Sequence, residues 1–221
     1  MAAFATTVGA GSQTALLPEQ SGIYKLHLQA TATLNTAYEV AQAVKLPPGI
    51  NREEWIASQV LGVYEEAVQV VCLLEDMCSD ESCPVMNAGK RVTYSWADEK
   101  NPKPCCLSAP GYMRTLVEYA NSVISDPDVV PIDGSDFSPR FLPAMKTLCK
   151  RFFRIYAHAY VVHFQELREA GVEAHLNCCF KRLLFFVLEF DLVSKQDMAP
   201  LSELVQKFTG DEKLRKQRRP L

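Results

Sequence analysis

The strongest structural signal in this chain is the stretch Lys150-Arg-Phe-Phe-Arg-Ile-Tyr-Ala-His-Ala-Tyr-Val-Val-His163. Its apolar residues recur with the period of an α-helix and cover most of the surface of that helix. This pattern predicts a helix inside a core. His158 and His163 would lie about 140° apart around an ideal helix. Their rings can therefore meet one ligand only through their rotamers or at a bent turn.

Two cysteines earlier in the chain, in Cys78-Ser-Asp-Glu-Ser-Cys83, complete a set of two thiols and two imidazoles. This set is typical of a closed structural zinc site, in which no coordination position is left for water. The four intervening residues allow one loop to bring both sulfurs to one ion. From spacing alone, ordinary thiols and partly buried histidines explain the same pattern.

Three cations, Lys150, Arg151 and Arg154, occupy one compact face of the predicted helix ahead of the histidines. One carboxylate would not need three cations, whereas a phosphate dianion could be surrounded by them. The cluster therefore favours a pocket for phosphoserine, phosphothreonine or an acidic peptide. A solvated helix face with surface ion pairs remains the alternative explanation.

The composition is that of a globular protein. The chain has 221 residues, of which 48% are hydrophobic and 22% charged, with a net charge of −3. This balance excludes a disordered chain and disfavours a general nucleic-acid binder. No apolar run reaches the ~18–20 residues that cross a bilayer. The first residues lack the basic start of a secretory signal, so we expect a reducing compartment and free or metal-bound cysteines.

Helical periodicity and turn signals predict a mostly helical chain. The predicted helices span residues 23–44, the segment that Asn51 caps, and residues 112–125, 141–169, 173–191 and 199–208. The strand-like run Arg91-Val-Thr-Tyr-Ser-Trp96 predicts a small hairpin. Residues 1–20 are predicted to form a flexible arm, and residues 210–221 a basic flexible tail.

Ordered strings along the chain resemble the Mob (Mob/phocein) family of kinase-activating adaptors. They include Ala43-Val-Lys-Leu-Pro-Pro-Gly49, Cys78-Ser-Asp-Glu-Ser-Cys-Pro-Val-Met86, Tyr94-Ser-Trp-Ala-Asp98, Ser108-Ala-Pro-Gly-Tyr112 and Glu173-Ala-His-Leu-Asn177. The resemblance implies a Mob-like domain over residues 21–209. Its implied fold is mostly α, with a four-helix-bundle core, additional helices, a small β-hairpin and a structural zinc site.

The resemblance also implies roles for residues that ligand chemistry had singled out. The implied zinc ligands are Cys78, Cys83, His158 and His163. The implied phosphopeptide-binding residues are Lys150, Arg151 and Arg154. Members of the family bind phosphorylated kinases of the Hippo/MST type in such a pocket.

A second surface is implied to bind the N-terminal regulatory segment of NDR/LATS-type kinases. It includes Glu53, Glu54 and Trp55, although solvation of a helix explains the two acids equally well. Thr33 matches a threonine that upstream kinases phosphorylate in some members, and a plain surface residue is the alternative. The implied setting is Hippo-like, mitotic-exit or cytokinesis signalling, in the cytoplasm, the nucleus or at the cell-division apparatus.

Some positions depart from the family pattern and leave the kinase partner open. They are Ile50, Gly62, Lys103 and Arg182. One alternative is a phosphopeptide-binding scaffold with other partners and no kinase activation. The other is a zinc hydrolase, which would need an open coordination position and a general base; the chain has no His-Glu-x-x-His motif.

Overall fold

The computed structural model describes the backbone of residues 37–99, 101–131 and 135–217 and the side chains of residues 39–99, 101–131 and 135–210. The described part contains seven α-helices, one 3₁₀-helix and one two-stranded sheet. In chain order these are α1 (Ala37–Ala43), α2 (Arg52–Leu74), β1 (Ser95–Trp96), β2 (Cys105–Cys106), α3 (Ala109–Ile124), α4 (Phe141–Val162), α5 (Phe164–Glu169), α6 (Glu173–Glu189), the 3₁₀-helix Ala199–Leu201 and α7 (Ser202–Gln217).

Four helices form the core, as the family resemblance implies. Helix α4 packs against α2, α3 and α6, while α2 also contacts α3 and α6. The centre is aromatic, because Phe153, Tyr156 and Phe180 pack ring against ring with centroids 5.5 to 5.7 Å apart. Helix α1 packs against both α6 and α7. The mostly helical bundle fold is thereby confirmed.

Helix α2 begins where the sequence predicts. The Asn51 side chain accepts hydrogen bonds from the backbone N–H groups of Glu53 and Glu54, at 2.8 and 3.1 Å. By length and composition α2 could cross a membrane. However, its apolar stripe is buried against the helices that it contacts, including α4 and α6. A core helix of the bundle therefore accounts for that composition.

Other element boundaries differ from the predictions. The helix predicted over 141–169 is interrupted at His163, whose φ of −116° and ψ of 10° end α4 and begin α5. Helix α7 continues to Gln217, so part of the predicted basic tail has a helical backbone. The hairpin has only two residues in each strand, with Ser95 opposite Cys106 and Trp96 opposite Cys105.

Several predictions fall outside the described residues. They concern the arm over residues 1–20, most of the helix predicted over 23–44, Thr33, and the end of the basic tail. The apolar helical runs around Cys72, Cys149, Cys178 and Cys179 predict four buried thiols. Cys149 and Cys179 are buried, Cys178 is half-buried and Cys72 is exposed, so the prediction was wrong for Cys72.

Candidate functional site

Two cysteines and two histidines meet in one buried cluster. The Sγ atom of Cys78 lies 3.4 Å from Nε2 of His158, and the Sγ atom of Cys83 lies 3.2 Å from Nε2 of His163. All four ligand atoms lie within 4.8 Å of one another. In a tetrahedral zinc site a sulfur and a nitrogen ligand are about 3.5 Å apart. The cluster could therefore hold a metal ion, and its donor set fits zinc.

Both imidazoles are oriented by hydrogen bonds at the ring nitrogen that faces away from the cluster. Nδ1 of His158 lies 2.8 Å from the carbonyl oxygen of Asn87, and Nδ1 of His163 lies 2.7 Å from a carboxylate oxygen of Glu166. With the proton on Nδ1 in each ring, both Nε2 lone pairs point at the cluster. This is the arrangement that metal-binding histidines require.

The bent turn at His163 explains how two histidines five positions apart share one site. The backbone leaves the geometry of α4 at this residue, and the two ring centroids come within 5.1 Å. Such a turn, or special rotamers, is what the spacing of the two histidines predicts. Glu166 was not predicted from the sequence as part of the site, although it stands three residues after His163, a spacing that places it on the same side of a helix.

The cysteine loop is held from both ends. The backbone N–H of Cys78 donates to the carbonyl of Leu74 at the end of α2, at 2.8 Å. The carbonyl of Cys83 accepts from the backbone N–H of Ala109 at the start of α3, at 2.9 Å. Ser108 adds a 2.5 Å hydrogen bond to Asp80 within the loop. A metal ion in the cluster would therefore connect α2, α3 and α4.

Burial acts against negative charge on the Cys78 sulfur. Desolvation first, and then the neighbouring Cys83 thiol, raise the pKa of Cys78 to about 12. Burial likewise lowers the pKa of the His158 imidazole. Two thiolates in this position need a compensating cation, which a divalent metal ion supplies.

A cavity of about 540 Å³ lies beside the middle of α4, in front of Lys150 and Arg154. Its other lining residues include Tyr94, Asp197 and Pro200. Nη1 of Arg154 donates to the hydroxyl of Tyr112 at 2.9 Å, and the guanidinium lies 4.9 Å from the centre of the Tyr94 ring. We call this space the Arg154 cavity.

Arg151, the third predicted phosphate ligand, does not line the Arg154 cavity. Its guanidinium lies between two aromatic rings, 4.0 Å from the centre of Trp96 and 4.4 Å from that of Tyr119. Nη2 donates to the carbonyl of Ala97, and the side chain is buried. Consecutive residues on a helix point about 100° apart, so Arg151 faces the hairpin and α3 while Lys150 faces the cavity.

Two further residues of the Arg154 cavity were not identified as site residues from the sequence. Tyr94 is nine-tenths buried, and its hydroxyl has no hydrogen-bond partner among the described residues. Asp197 forms an ion pair with Lys150, at 3.1 Å between Nζ and Oδ1. Ser194, three residues before Asp197, exchanges hydrogen bonds with it at 2.6 and 3.1 Å. That Ser-x-x-Asp spacing is a readable signal of a capping turn.

The predicted kinase-binding residues lie at the start of α2. Glu54 is exposed, Glu53 is half-buried, and Trp55 is half-buried with its indole N–H donating to the carbonyl of Val44 at 2.9 Å. The Trp55 side chain therefore also holds the turn that connects α1 to α2. Ile50, in the same turn, is 46% exposed.

Two of the unusual positions, Gly62 and Arg182, are in contact. A Cβ atom on Gly62 would overlap Nη2 of Arg182, so the guanidinium covers the glycine. Nη1 of Arg182 donates to Oε1 of Glu66 at 2.8 Å. Burial raises the pKa of Glu66, although the Arg182 charge acts in the opposite direction. The surface beside α2 therefore carries a guanidinium at two of the positions that depart from the family pattern.

The fold and the cluster together define a class, a small helical domain in which a candidate metal centre ties a loop to the central helix. The chain belongs to the Mob1/phocein family, whose profile matches residues 31–201. It is 36% identical to MOB kinase activator 3A of Mus musculus and of Homo sapiens over 187 residues, which cover 84% of this chain and 86% of each relative. It is also 36% identical to MOB kinase activator 3C of Bos taurus over 187 residues, 84% of this chain and 87% of that relative.

Proposed function

We propose that this protein is a non-catalytic adaptor and co-activator of protein kinases. The similar proteins are named as kinase activators, and these matches cover most of the chain. The proposed partners are the N-terminal regulatory segment of an NDR/LATS-type kinase and phosphothreonine peptides of upstream kinases or scaffolds. The proposed setting is Hippo-like, mitotic-exit or cytokinesis signalling in the cytoplasm, the nucleus or at the division apparatus.

The proposed metal ion is a structural zinc ion held by Cys78, Cys83, His158 and His163. When bound, it would neutralise the thiolates and hold the loop against α4. The number of donors supports this role, because four protein ligands complete a tetrahedron and leave no position for a reacting water. A zinc hydrolase, the alternative from the sequence, would need one of these donors to be displaced.

The observation that carries the proposed phosphopeptide function is the Arg154 cavity. Lys150, Arg154 and Tyr94 line it, and the buried Tyr94 hydroxyl has no hydrogen-bond partner in the part of the chain that the structure describes. Two cations and a hydroxyl donor match the charge and the acceptor oxygens of a phosphate group. In this proposal Arg151, the neighbour of Lys150 in the sequence, supports the cavity wall by packing between Trp96 and Tyr119.

A direct binding measurement tests this function. Fluorescence anisotropy of a labelled phosphothreonine peptide should show binding that is lost when the peptide is dephosphorylated. Arg154→Ala should weaken binding at least tenfold without unfolding the protein. Arg168→Ala is the matched control, because Arg168 is exposed on α5 and lies outside the cavity. Equal affinity of wild type and Arg154→Ala would refute the assignment.

The kinase surface is tested separately. Glu54→Lys should reduce binding to, and activation of, an NDR/LATS-type kinase, with Glu118→Lys on α3 as the charge-matched control. The contact of Arg182 with Gly62 favours the second candidate function, a phosphopeptide-binding scaffold with a different partner set. That candidate predicts phosphopeptide binding with no kinase activation by either wild type or Glu118→Lys.

A further inference from the structure

The ion pair between Lys150 and Asp197 separates two adjoining cavities. One is the Arg154 cavity of about 540 Å³. The other, of about 340 Å³, is lined by Lys146, Asp191 and Leu192 as well as by the ion pair itself. We call it the Lys146 cavity. Both residues of the pair line both cavities, so the ion pair lies between a ligand in one cavity and the space of the other.

The pair already neutralises one of the two cations proposed to bind phosphate. Asp197 is kept in place by Ser194, whose hydroxyl donates to Oδ2 at 2.6 Å while Lys150 lies at Oδ1. Burial by itself would raise the pKa of Asp197, but the hydrogen bonds from Ser194 and Lys150 lower it overall. A phosphate group in the Arg154 cavity therefore faces a fixed carboxylate that it cannot neutralise.

We propose that the ligand of the Arg154 cavity is a phosphopeptide with a lysine or arginine close to its phosphorylated residue, and that it binds by exchanging partners with the Lys150–Asp197 ion pair. This inference rests on the proposed phosphopeptide function. Lys150 turns to the phosphate, and the ligand's own cation takes its place on Asp197. A peptide that brought the phosphate alone would leave Asp197 beside it without a counter-charge.

Charge balance supports the exchange. Lys150 and Arg154 offer two positive charges to a phosphate that carries nearly two negative charges at neutral pH. Once Lys150 has turned away, Asp191, Asp197 and Lys146 leave the Lys146 cavity with one net negative charge. One ligand cation balances that charge. The Lys146 cavity is thereby assigned as a second subsite, which takes a basic side chain.

A second observation supports a phosphate in the first cavity. Tyr94 lines the Arg154 cavity, and its buried hydroxyl has no hydrogen-bond partner among the described residues. A buried donor without a partner is unfavourable, and an incoming phosphate oxygen would satisfy it. The Arg154 guanidinium packs against the Tyr94 ring, so both side chains belong to the same part of the cavity wall.

The spacing of the two subsites limits the peptide. Lys146, Lys150 and Arg154 are four residues apart along α4, so each step along this row is about 6 Å. An extended peptide advances about 3.3 Å per residue. The basic residue of the ligand should therefore lie within two positions of the phosphorylated one.

Three labelled synthetic peptides test the proposal by fluorescence anisotropy. They are Gly-Arg-Arg-phosphothreonine-Arg-Arg-Gly, its counterpart with alanine in place of arginine, and the unphosphorylated arginine peptide. Wild type should bind the first peptide about fivefold more tightly than the second, because a partly exposed ion pair typically contributes about that factor to an affinity. In Asp197→Asn this preference should fall to less than twofold, because asparagine still bonds Ser194 but carries no charge.

Two more variants complete the test. Glu118→Gln removes one negative charge outside both cavities and should keep the fivefold preference, which excludes a general attraction of arginine to an acidic protein. Tyr94→Phe should weaken both phosphopeptides equally, by about fivefold, because it removes one donor to the phosphate.

The outcomes separate this inference from the function on which it rests. Tight phosphate-dependent binding with no arginine preference in wild type would overturn the inference and leave the phosphopeptide function standing. An arginine preference that persists in Asp197→Asn would do the same. If the phosphorylated and unphosphorylated arginine peptides bind equally, both the phosphopeptide function and the inference are wrong.

Discussion

Replacing Arg151 distinguishes a packing role from the phosphate contact that its place in the sequence predicts. The guanidinium lies between Trp96 and Tyr119, and it donates a hydrogen bond to the carbonyl of Ala97. Each buried cation–π contact contributes about 1 kcal/mol, and a hydrogen bond from a charged donor about 1.5 kcal/mol. Arg151→Ala should therefore lower the free energy of unfolding by about 3 to 4 kcal/mol.

Thermal unfolding followed by circular dichroism measures this effect. For a domain of this size each kcal/mol corresponds to about 2–4 °C, so the melting temperature should fall by about 10 °C. Arg154→Ala is the comparison, because Arg154 is more exposed and makes one good hydrogen bond, to Tyr112, and one cation–π contact, with Tyr94. Its melting temperature should fall by about half as much, since each contact is more solvent-exposed than those of Arg151.

Arg151→Lys refines the test. Lysine keeps the charge but has no planar group to stack between two rings, so its stability should lie between those of wild type and Arg151→Ala. The packing explanation would be refuted if Arg151→Ala melted within about 2 °C of wild type and yet no longer bound a phosphothreonine peptide. That result would place the guanidinium in the Arg154 cavity when the ligand is present.

Three other predictions concern the metal cluster and the start of α2. Cys83→Ser should lower both the metal content, measured by mass spectrometry, and the melting temperature, because binding of a structural metal contributes to folding; full metal loading with unchanged melting would contradict the assignment. Glu166→Gln should weaken zinc binding about tenfold in competition with a chromophoric chelator, since the carboxylate on His163 makes the imidazole a better ligand; equal affinity would show that the charge is irrelevant. Asn51→Ala should cost about 1 kcal/mol in urea unfolding, and no change would show that water caps the helix equally well.

The amino-acid sequence by itself determined the mostly helical class, the family and the chemistry of the candidate metal site. These depend on local properties: the period of apolar residues, the capping chemistry of Asn51, and the short list of side chains that bind zinc. The sequence also indicated that two histidines at positions 158 and 163 could meet only at a bent turn or through special rotamers. The backbone at His163 is such a turn.

Side-chain direction and partners far along the chain were decided only by the tertiary structure. Lys150 and Arg151 are neighbours in sequence, yet one lines a cavity and the other is buried between rings contributed by the hairpin and α3. Asp197 meets Lys150 from a segment 47 positions away, and Arg182 covers Gly62 from another helix. Such pairs follow from how helices pack, because a helix presents successive residues about 100° apart and only the neighbouring elements determine which direction faces solvent, a cavity or the core.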